Sequence, residues 1–253
     1  MSYSPLLNIL TIAIEKVANT LTRDFYELEF LQKNLNSAEN FAQKTILNLE
    51  EKLYEDLHKF RNKYSFILSS GEIIKHQDES NYFILNPIIG LNNFIRGIPS
   101  FAVSIGVKRD SKPYAGAILN PITKELFIAE LGVGSFYNSK RVTLNPHNKQ
   151  RLQLKSHIIA TDRFTLKNLK KTYNYIISQV KQLDLCYYSI NRIDAITYEE
   201  SLSYDSFISA LSILESAEIK LNYNLDKEQN IITNLNSLVD GEYDEIINTP
   251  SNN

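Results

Sequence analysis

The chain has 253 residues, of which 43% are hydrophobic and 22% are charged, and its formal net charge at pH 7 is −2. These values are ordinary for a globular protein, and the charge gives no electrostatic reason to expect binding to nucleic acid. We find no apolar run long enough to span a bilayer, so a membrane is not an expected partner either. Cys186 is the only cysteine, which excludes a disulfide within the chain and favours a cytoplasmic location.

Two amphipathic helices are predicted at the N-terminus. The first begins at Pro5, a residue that suits the first turn of a helix, and one apolar face is formed by Ile14, Val17, Ala18, Leu21 and Phe25. After a polar break over residues 32–40, a second helix carries an apolar stripe at Ile46, Leu49, Leu53, Leu57 and Phe60. Its acidic residues are expected on a solvated face; they are Glu50, Glu51, Glu55 and Asp56.

Short strands separated by turns are predicted next. Apolar runs indicate strands over residues 65–68, 82–85, 101–108, 114–119 and 125–130. Residues 109–113 have the composition of a hairpin loop between the third and the fourth of these strands. Gly132 and Gly134 are expected to form a turn rather than a phosphate-binding loop, because no helical pattern follows them.

Beyond residue 148 the pattern changes to alternating strands and helices. Strands are predicted over residues 154–160, 183–188 and 193–198, and helices over residues 165–180, 204–217 and 234–247. Such alternation is typical of a mixed or parallel sheet with helices packed on it. We therefore predict an α+β fold of two subdomains that together make one unit. Residues 1–148 contain two long helices and an antiparallel sheet, and residues 149–253 form an α/β subdomain.

The segment NPIIGLNNF, residues 86–94, has the form of a strand that runs into a tight turn and a helix start. The backbone N–H groups of Gly90 and Leu91 are therefore a candidate phosphate-binding point. No Asp, Glu, His or Cys lies between Asn81 and Asp110, so the turn cannot by itself hold a metal ion. The four histidines show no metal-ligand spacing and are expected to be surface or structural residues; they are His58, His76, His147 and His157.

Several segments, in order and along nearly the whole chain, resemble a known family. They are NPIIGLNNF, GIPSFAVSI at residues 97–105, GAILNP at residues 116–121, ELFIAE and GSF within residues 125–136, and YDSFIS at residues 204–209. Together they resemble the inositol monophosphatase family, and its bacterial extragenic-suppressor branch most closely. The resemblance implies a layered α-β-α-β-α sandwich of the sugar and inositol phosphatase type, and it implies homodimers.

The resemblance also implies a site in which Mg²⁺ ions, held mainly by carboxylates, hydrolyse a phosphate monoester. Matched residue by residue, the family's site positions fall on Ile46, Ser69, Asn86, Ile88, Ile89, Gly90, Leu91, Asn92 and Asp205. Ile88 would contribute only its carbonyl oxygen, and Asp205 is the one carboxylate left in the set. Glu199 is a candidate contact for a sugar hydroxyl. An alternative role for Asp205 is that of a helix N-cap.

Mg²⁺ requires several hard oxygen ligands, and the side chains of Ile89 and Leu91 offer none. We therefore predict an inositol monophosphatase-like protein without phosphatase activity, with no catalytic residue and no bound cofactor. Two alternatives stay open. One is a weak Mg²⁺-dependent phosphomonoesterase acting on inositol or sugar phosphates, with Asp205 and Asn86 among its ligands. The other is metal-free binding of a phosphate-bearing small molecule at Gly90 and Leu91, or a protein-interaction module.

Overall fold

The first two elements are long helices, as the N-terminal pattern predicts. A computed structural model of the chain describes residues 3–31, 34–142, 158–161, 166, 174–198, 202–225 and 230–236. Helix α1 spans Pro5–Leu28, a single 3₁₀ turn follows at Glu29–Leu31, and α2 spans Leu35–Phe60. The predicted polar break over residues 32–40 is too long, because the Asn34 side chain caps α2 by accepting a hydrogen bond from the Ser37 amide at 3.4 Å.

The apolar stripe of α2 is confirmed at its centre but not at its ends. Leu49, Leu53 and Leu57 are completely buried. Phe60, by contrast, is 52% exposed, and Ile46 is half-buried. Helical periodicity identifies which face of a helix turns inward. How far along the helix that face is buried depends on the elements that pack against it.

A sheet of eight strands lies under these helices. Its strands are β1 (Tyr64–Ile67), β2 (Ile73–Ile74), β3 (Asp78–Ile89), β4 (Ala102–Arg109), β5 (Lys112–Asn120), β6 (Glu125–Glu130), β7 (Gly134–Tyr137) and β8 (Lys140–Val142). Their spatial order is β2-β1-β3-β4-β5-β6-β7-β8. Neighbouring strands are antiparallel except β1 and β3, which run parallel. The prediction of an antiparallel sheet therefore holds for every pair but this one.

The connection between β4 and β5 is tighter than the predicted loop over residues 109–113. Only Asp110 and Ser111 lie outside the strands, and their φ angles are 49° and 63°. A two-residue turn with positive φ at both positions matches the right-handed twist of the strands it joins, which is why Arg109 can pair with Lys112.

The second half of the chain contributes a smaller sheet and further helices. After the short α3 (Leu91–Ile95) come α4 (Lys181–Ser189) and α5 (Tyr204–Ser216). The strands are β9 (Ile158–Thr161), β10 (Asn174–Ile176), β11 (Ala195–Tyr198), β12 (Leu202–Ser203), β13 (Asn222–Leu225) and β14 (Asn230–Asn236). The sheet order is β10-β9-β11-β14-β12, with β13 paired to β14.

Three predictions in this half are wrong where the structure describes them. Residues 183–188 are helical and not a strand, residues 174–176 are a strand within the predicted helix 165–180, and residues 234–236 belong to β14 rather than to a helix. A short apolar run such as 183–188 has no periodicity that separates a buried strand from a buried helix. The remaining parts of the predicted elements at 154–157, 165–173 and 237–247 lie outside the described residues, apart from residue 166. So does the boundary at residues 148–149, and the two-subdomain division stays a prediction.

Side chains of the eight-stranded sheet alternate between two cores. Phe83 and Leu85 belong to the core shared with α1 and α2, whereas Ile84 belongs to the core shared with α4 and α5. The second core also includes Ile196 and Tyr198 of β11, so α4 and α5 lie between the two sheets. The predicted α+β sandwich is therefore confirmed. Within the described ranges, no helix is both long and apolar enough to cross a membrane.

Candidate functional site

The turn after β3 is made by one residue rather than by the whole segment. Asn86 still pairs with Ser104 of β4, and the strand continues irregularly to Ile89, so the turn predicted from residue 86 onward begins too early. Gly90 has φ +82° and ψ 38°. A Cβ atom at this position would lie 2.8 Å from Cγ2 of Val180. Both the conformation and the close approach require glycine here.

Asn93 ties this turn to the segment before α4. Its side chain is 6% exposed, and Nδ2 donates to the carbonyl oxygens of Ser100 at 2.7 Å and of Ser178 at 3.1 Å. The contact joins residues that are far apart in the sequence, so the motif alone could not assign this role to Asn93. Together with the contact between Gly90 and Val180, it covers the turn with residues 178–180.

The side chains at the turn are largely apolar and buried. Ile89 is 6% exposed and belongs to the same core as Ile67 and Val180. Ile88 and Leu91 are half-buried and pack against the core on the α1 and α2 side. The space around Ile89 is therefore filled by hydrocarbon. Asn92, in contrast, is exposed.

Glu50 is a buried carboxylate that the sequence reasoning missed. It is 7% exposed, and Oε1 accepts a hydrogen bond from the Ser69 backbone N–H at 2.6 Å. The prediction that it lies on a solvated face is wrong, because α2 turns this position toward the end of β1. The signal was present: Glu50 follows Ile46 by one helical turn, and residues four apart share a face.

Asp205 lies in the first turn of α5 and pairs with a lysine. Ser203 occupies the N-cap position, so the N-cap role suggested for Asp205 is wrong. Oδ1 of Asp205 lies 2.6 Å from Nζ of Lys108 on β4. The same ammonium group lies 5.6 Å from the centre of the Tyr82 ring.

Asp205 is tied to β4 through this ion pair. Its partner Lys108 is paired with Tyr82, four residues before Asn86 on β3. Asn86 is paired with Ser104 of β4, and the hydroxyl of Ser104 lies 2.6 Å from the hydroxyl of Ser209 on α5.

A second buried carboxylate, Asp184, lies behind the segment that covers the turn. It is 2% exposed, and Oδ2 accepts hydrogen bonds from Ser178 Oγ at 2.6 Å and from the Tyr198 hydroxyl at 2.7 Å. Burial raises the pKa of Asp184 to about 6, although the two hydrogen bonds and the charge of Lys181 oppose the rise. No sequence motif pointed to this residue.

Glu199 lies outside the described residues, and nothing tests its predicted contact with a sugar hydroxyl. Among the residues that the structure describes, no group of three or more His, Cys, Asp or Glu side chains could hold a metal ion. The predicted site residues lie on several elements. Ile46 and Ser69 lie around Glu50, the turn carries Asn86 to Asn92, and Asp205 pairs with Lys108.

Comparison with known proteins gives a consistent result. The model of the family described as the inositol monophosphatase family matches residues 2–207. An inositol-1-monophosphatase of Rhizobium meliloti (strain 1021) is 29% identical over 229 residues, which cover 85% of each chain. A protein named Nus factor SuhB, from Vibrio cholerae, is 27% identical over 203 residues, covering 75% of this chain and 74% of that protein.

Solved structures share the fold as well. The crystal structure of the extragenic suppressor protein SuhB from Bartonella henselae superimposes with a TM-score of 0.70 at 25% identity, covering 90% of this chain and 93% of that one. The resemblance found in the sequence motifs is thereby confirmed by a family match over most of the chain and by a shared fold. The chain belongs to the inositol monophosphatase family.

Proposed function

We propose that this chain is an inositol monophosphatase-like protein without phosphatase activity, which acts by binding or interaction. The observation that carries the proposal is the burial of Ile89. This side chain stands where the family resemblance requires a metal-binding carboxylate, and it packs with Ile67 and Val180 in an apolar core. An isoleucine offers no ligand oxygen, and Mg²⁺ needs several oxygens in near-octahedral array.

The carboxylates near these positions are already engaged. Asp205 pairs with the ammonium group of Lys108, which a metal ion would have to displace. Glu50 accepts the Ser69 amide. The side chains present therefore do not fit a two-metal site, and without metal ions the chain lacks the means to lower the pKa of an attacking water or to neutralise a phosphoryl group.

The direct test is a phosphatase assay of the purified chain with myo-inositol 1-phosphate and with an aryl phosphate, across a range of Mg²⁺ concentrations. The inositol-1-monophosphatase of Rhizobium meliloti, prepared in the same way, serves as the positive control. We expect no metal-dependent turnover. Metal-dependent turnover that Asp205→Ala abolishes would overturn the proposal.

Two alternatives can be decided alongside. A weak Mg²⁺-dependent phosphomonoesterase would need Asp205 and Asn86 to share a metal ion, and the ion pair that Asp205 already forms with Lys108 weighs against this. Calorimetric titration with Mg²⁺ and Mn²⁺ tests this alternative, because a chain that binds neither ion at millimolar concentration would have no mechanism for it.

The other alternative is metal-free phosphate binding at Gly90 and Leu91. The Val180 methyl group that lies over Gly90 argues against it. A thermal-shift screen with sugar phosphates tests that alternative.

Homodimer formation and a cytoplasmic location are parts of the same proposal. Homodimer formation rests on the family resemblance, and the cytoplasmic location rests on the single cysteine, Cys186. Light scattering coupled to size-exclusion chromatography measures the mass in solution. A measured mass equal to that of a single chain over a wide concentration range would contradict the dimer.

A further inference from the structure

Two histidines come together where the last turns of α2 pack on β1, beside Phe66. His58 lies one helical turn after Tyr54 on α2, and His76 lies between β2 and β3. The ring centres of His58 and His76 are 4.7 Å apart, with their planes inclined by 32°. The Tyr54 hydroxyl lies 3.4 Å from Nε2 of His76, and the Tyr54 ring stacks on His58 at 5.5 Å.

One imidazole nitrogen in this cluster is buried without a partner. Nδ1 of His58 is shielded from solvent and makes no hydrogen bond within the described part of the chain. A buried polar atom left unpaired is costly, and such atoms are uncommon in folded proteins. A neutral histidine carries one nitrogen with a free lone pair, which can bind a metal ion.

The separation of the rings fits a shared metal ion. Zinc binds imidazole nitrogen at about 2.0–2.1 Å, and two imidazoles on one tetrahedral ion therefore have ring centres on the order of 5 Å apart. The observed distance is 4.7 Å. Imidazole suits Zn²⁺, Ni²⁺ and Cu²⁺, and it does not suit Mg²⁺, which prefers oxygen.

We propose that His58 and His76 form a two-histidine binding site for a divalent transition-metal ion such as Zn²⁺ or Ni²⁺. His76 is held in place through its backbone, because its N–H donates to Ser65 Oγ at 3.0 Å and that hydroxyl donates to the Asp78 carbonyl at 3.1 Å. Among the described residues, no third His, Cys, Asp or Glu side chain joins the pair. Water or an external ligand completes the coordination sphere, and the site is independent of the phosphatase question.

The test is a calorimetric titration of the tag-free full chain with Zn²⁺ and, separately, with Ni²⁺ at neutral pH. We expect one ion per chain, and we expect His58→Gln and His76→Gln each to weaken binding by about tenfold or more. His147→Gln is the matched control and should bind as the wild type does.

A second measurement needs no variant and so does not depend on whether the substituted chains fold. The histidine ring signals of the wild type are followed by NMR while Zn²⁺ is added. We expect two of the four histidines to shift. No binding of either ion at millimolar concentration, shifts at His147 or His157 instead, or equal weakening by His147→Gln would each overturn the inference.

Discussion

Nζ of Lys108 lies 2.6 Å from Oδ1 of Asp205, and the two side chains are 16% and 31% exposed. Asp205 is the one carboxylate among the matched site positions of the family. Its charge is thus neutralised by an ammonium group from the same chain. A partly buried carboxylate needs a counter-charge, which a metal ion supplies in an active metal site and Lys108 supplies here. The pair gives a physical reason why Asp205 can lie partly buried at the start of α5.

Replacing Lys108 should therefore affect stability. Lys108→Met leaves Asp205 without its partner, and we expect the free energy of unfolding to fall by about 1 kcal/mol. Urea denaturation measures the change. Lys16→Met is the matched control, because Lys16 pairs with Asp56 from a position that is 58% exposed, and it should cost less. Equal stability of Lys108→Met and the wild type would mean that the pair contributes nothing.

Gly90→Ala should destabilise the protein for two separable reasons, its positive φ and its contact with Val180. Gly132 has the same φ, +82°, but nothing lies within 4 Å of the position that a Cβ atom would take. Gly132→Ala thus measures the backbone cost alone, about 1 kcal/mol. We expect Gly90→Ala to cost clearly more in thermal unfolding. Equal costs for the two variants would show that Val180 does not restrict the turn.

The buried Asp184 makes stability depend on pH in a predictable direction. Its pKa in the folded protein is raised to about 6 from the ordinary value of 3.8, so the folded state binds the proton more tightly than the unfolded state. The resulting contribution is fully present below the ordinary pKa and is lost as the pH rises through about 6. Its size is at most about 3 kcal/mol.

Asp184→Asn should remove this dependence. We expect the variant to flatten the decline in unfolding free energy that the wild type shows as the pH rises through that window. Asp110→Asn is the control, because Asp110 is exposed in the β4–β5 turn and asparagine tolerates its positive φ. Denaturant unfolding at several pH values gives both profiles. An unchanged profile in Asp184→Asn would contradict the assignment.

Glu125 joins the eight-stranded sheet to α4. It is 8% exposed and accepts hydrogen bonds from the hydroxyls of Tyr137 at 3.0 Å and Tyr187 at 2.7 Å, and it forms an ion pair with Arg192. Burial acts to raise the pKa of Glu125, but hydrogen bonds from Tyr187 and Arg192 outweigh it, and the pKa lies below the ordinary value. Its contribution is present above the ordinary pKa and lost as the pH falls through the lowered one.

Glu125→Gln should weaken this connection. An amide lacks the charge that pairs with Arg192, and its NH₂ group cannot accept a hydrogen bond, so we expect a loss of about 1–3 kcal/mol in denaturant unfolding. Glu72→Gln, at an exposed position, is the control and should have little effect. If the two variants lose the same amount, Glu125 does not hold the layers together.

Much of the first half of the fold could be predicted from the sequence. The helix that begins at Pro5 and the strand over residues 125–130 were both predicted with their observed starts, and the hairpin around Asp110 was found within a few residues. The first helix has a long apolar pattern of helical period, and the strands around Asp110 and at residues 125–130 are apolar runs bounded by turn residues, which are local signals. Residues 183–188 lack such a pattern, and the prediction there was wrong.

The sequence by itself determined the family and the absence of ligand oxygens at Ile89 and Leu91, because both follow from residue identity and order. Only the tertiary structure decided where the remaining carboxylates lie. It buried Glu50 against Ser69 and paired Asp205 with Lys108. These relationships depend on strand register and on helix packing across the sheet, which bring together residues that no local pattern connects.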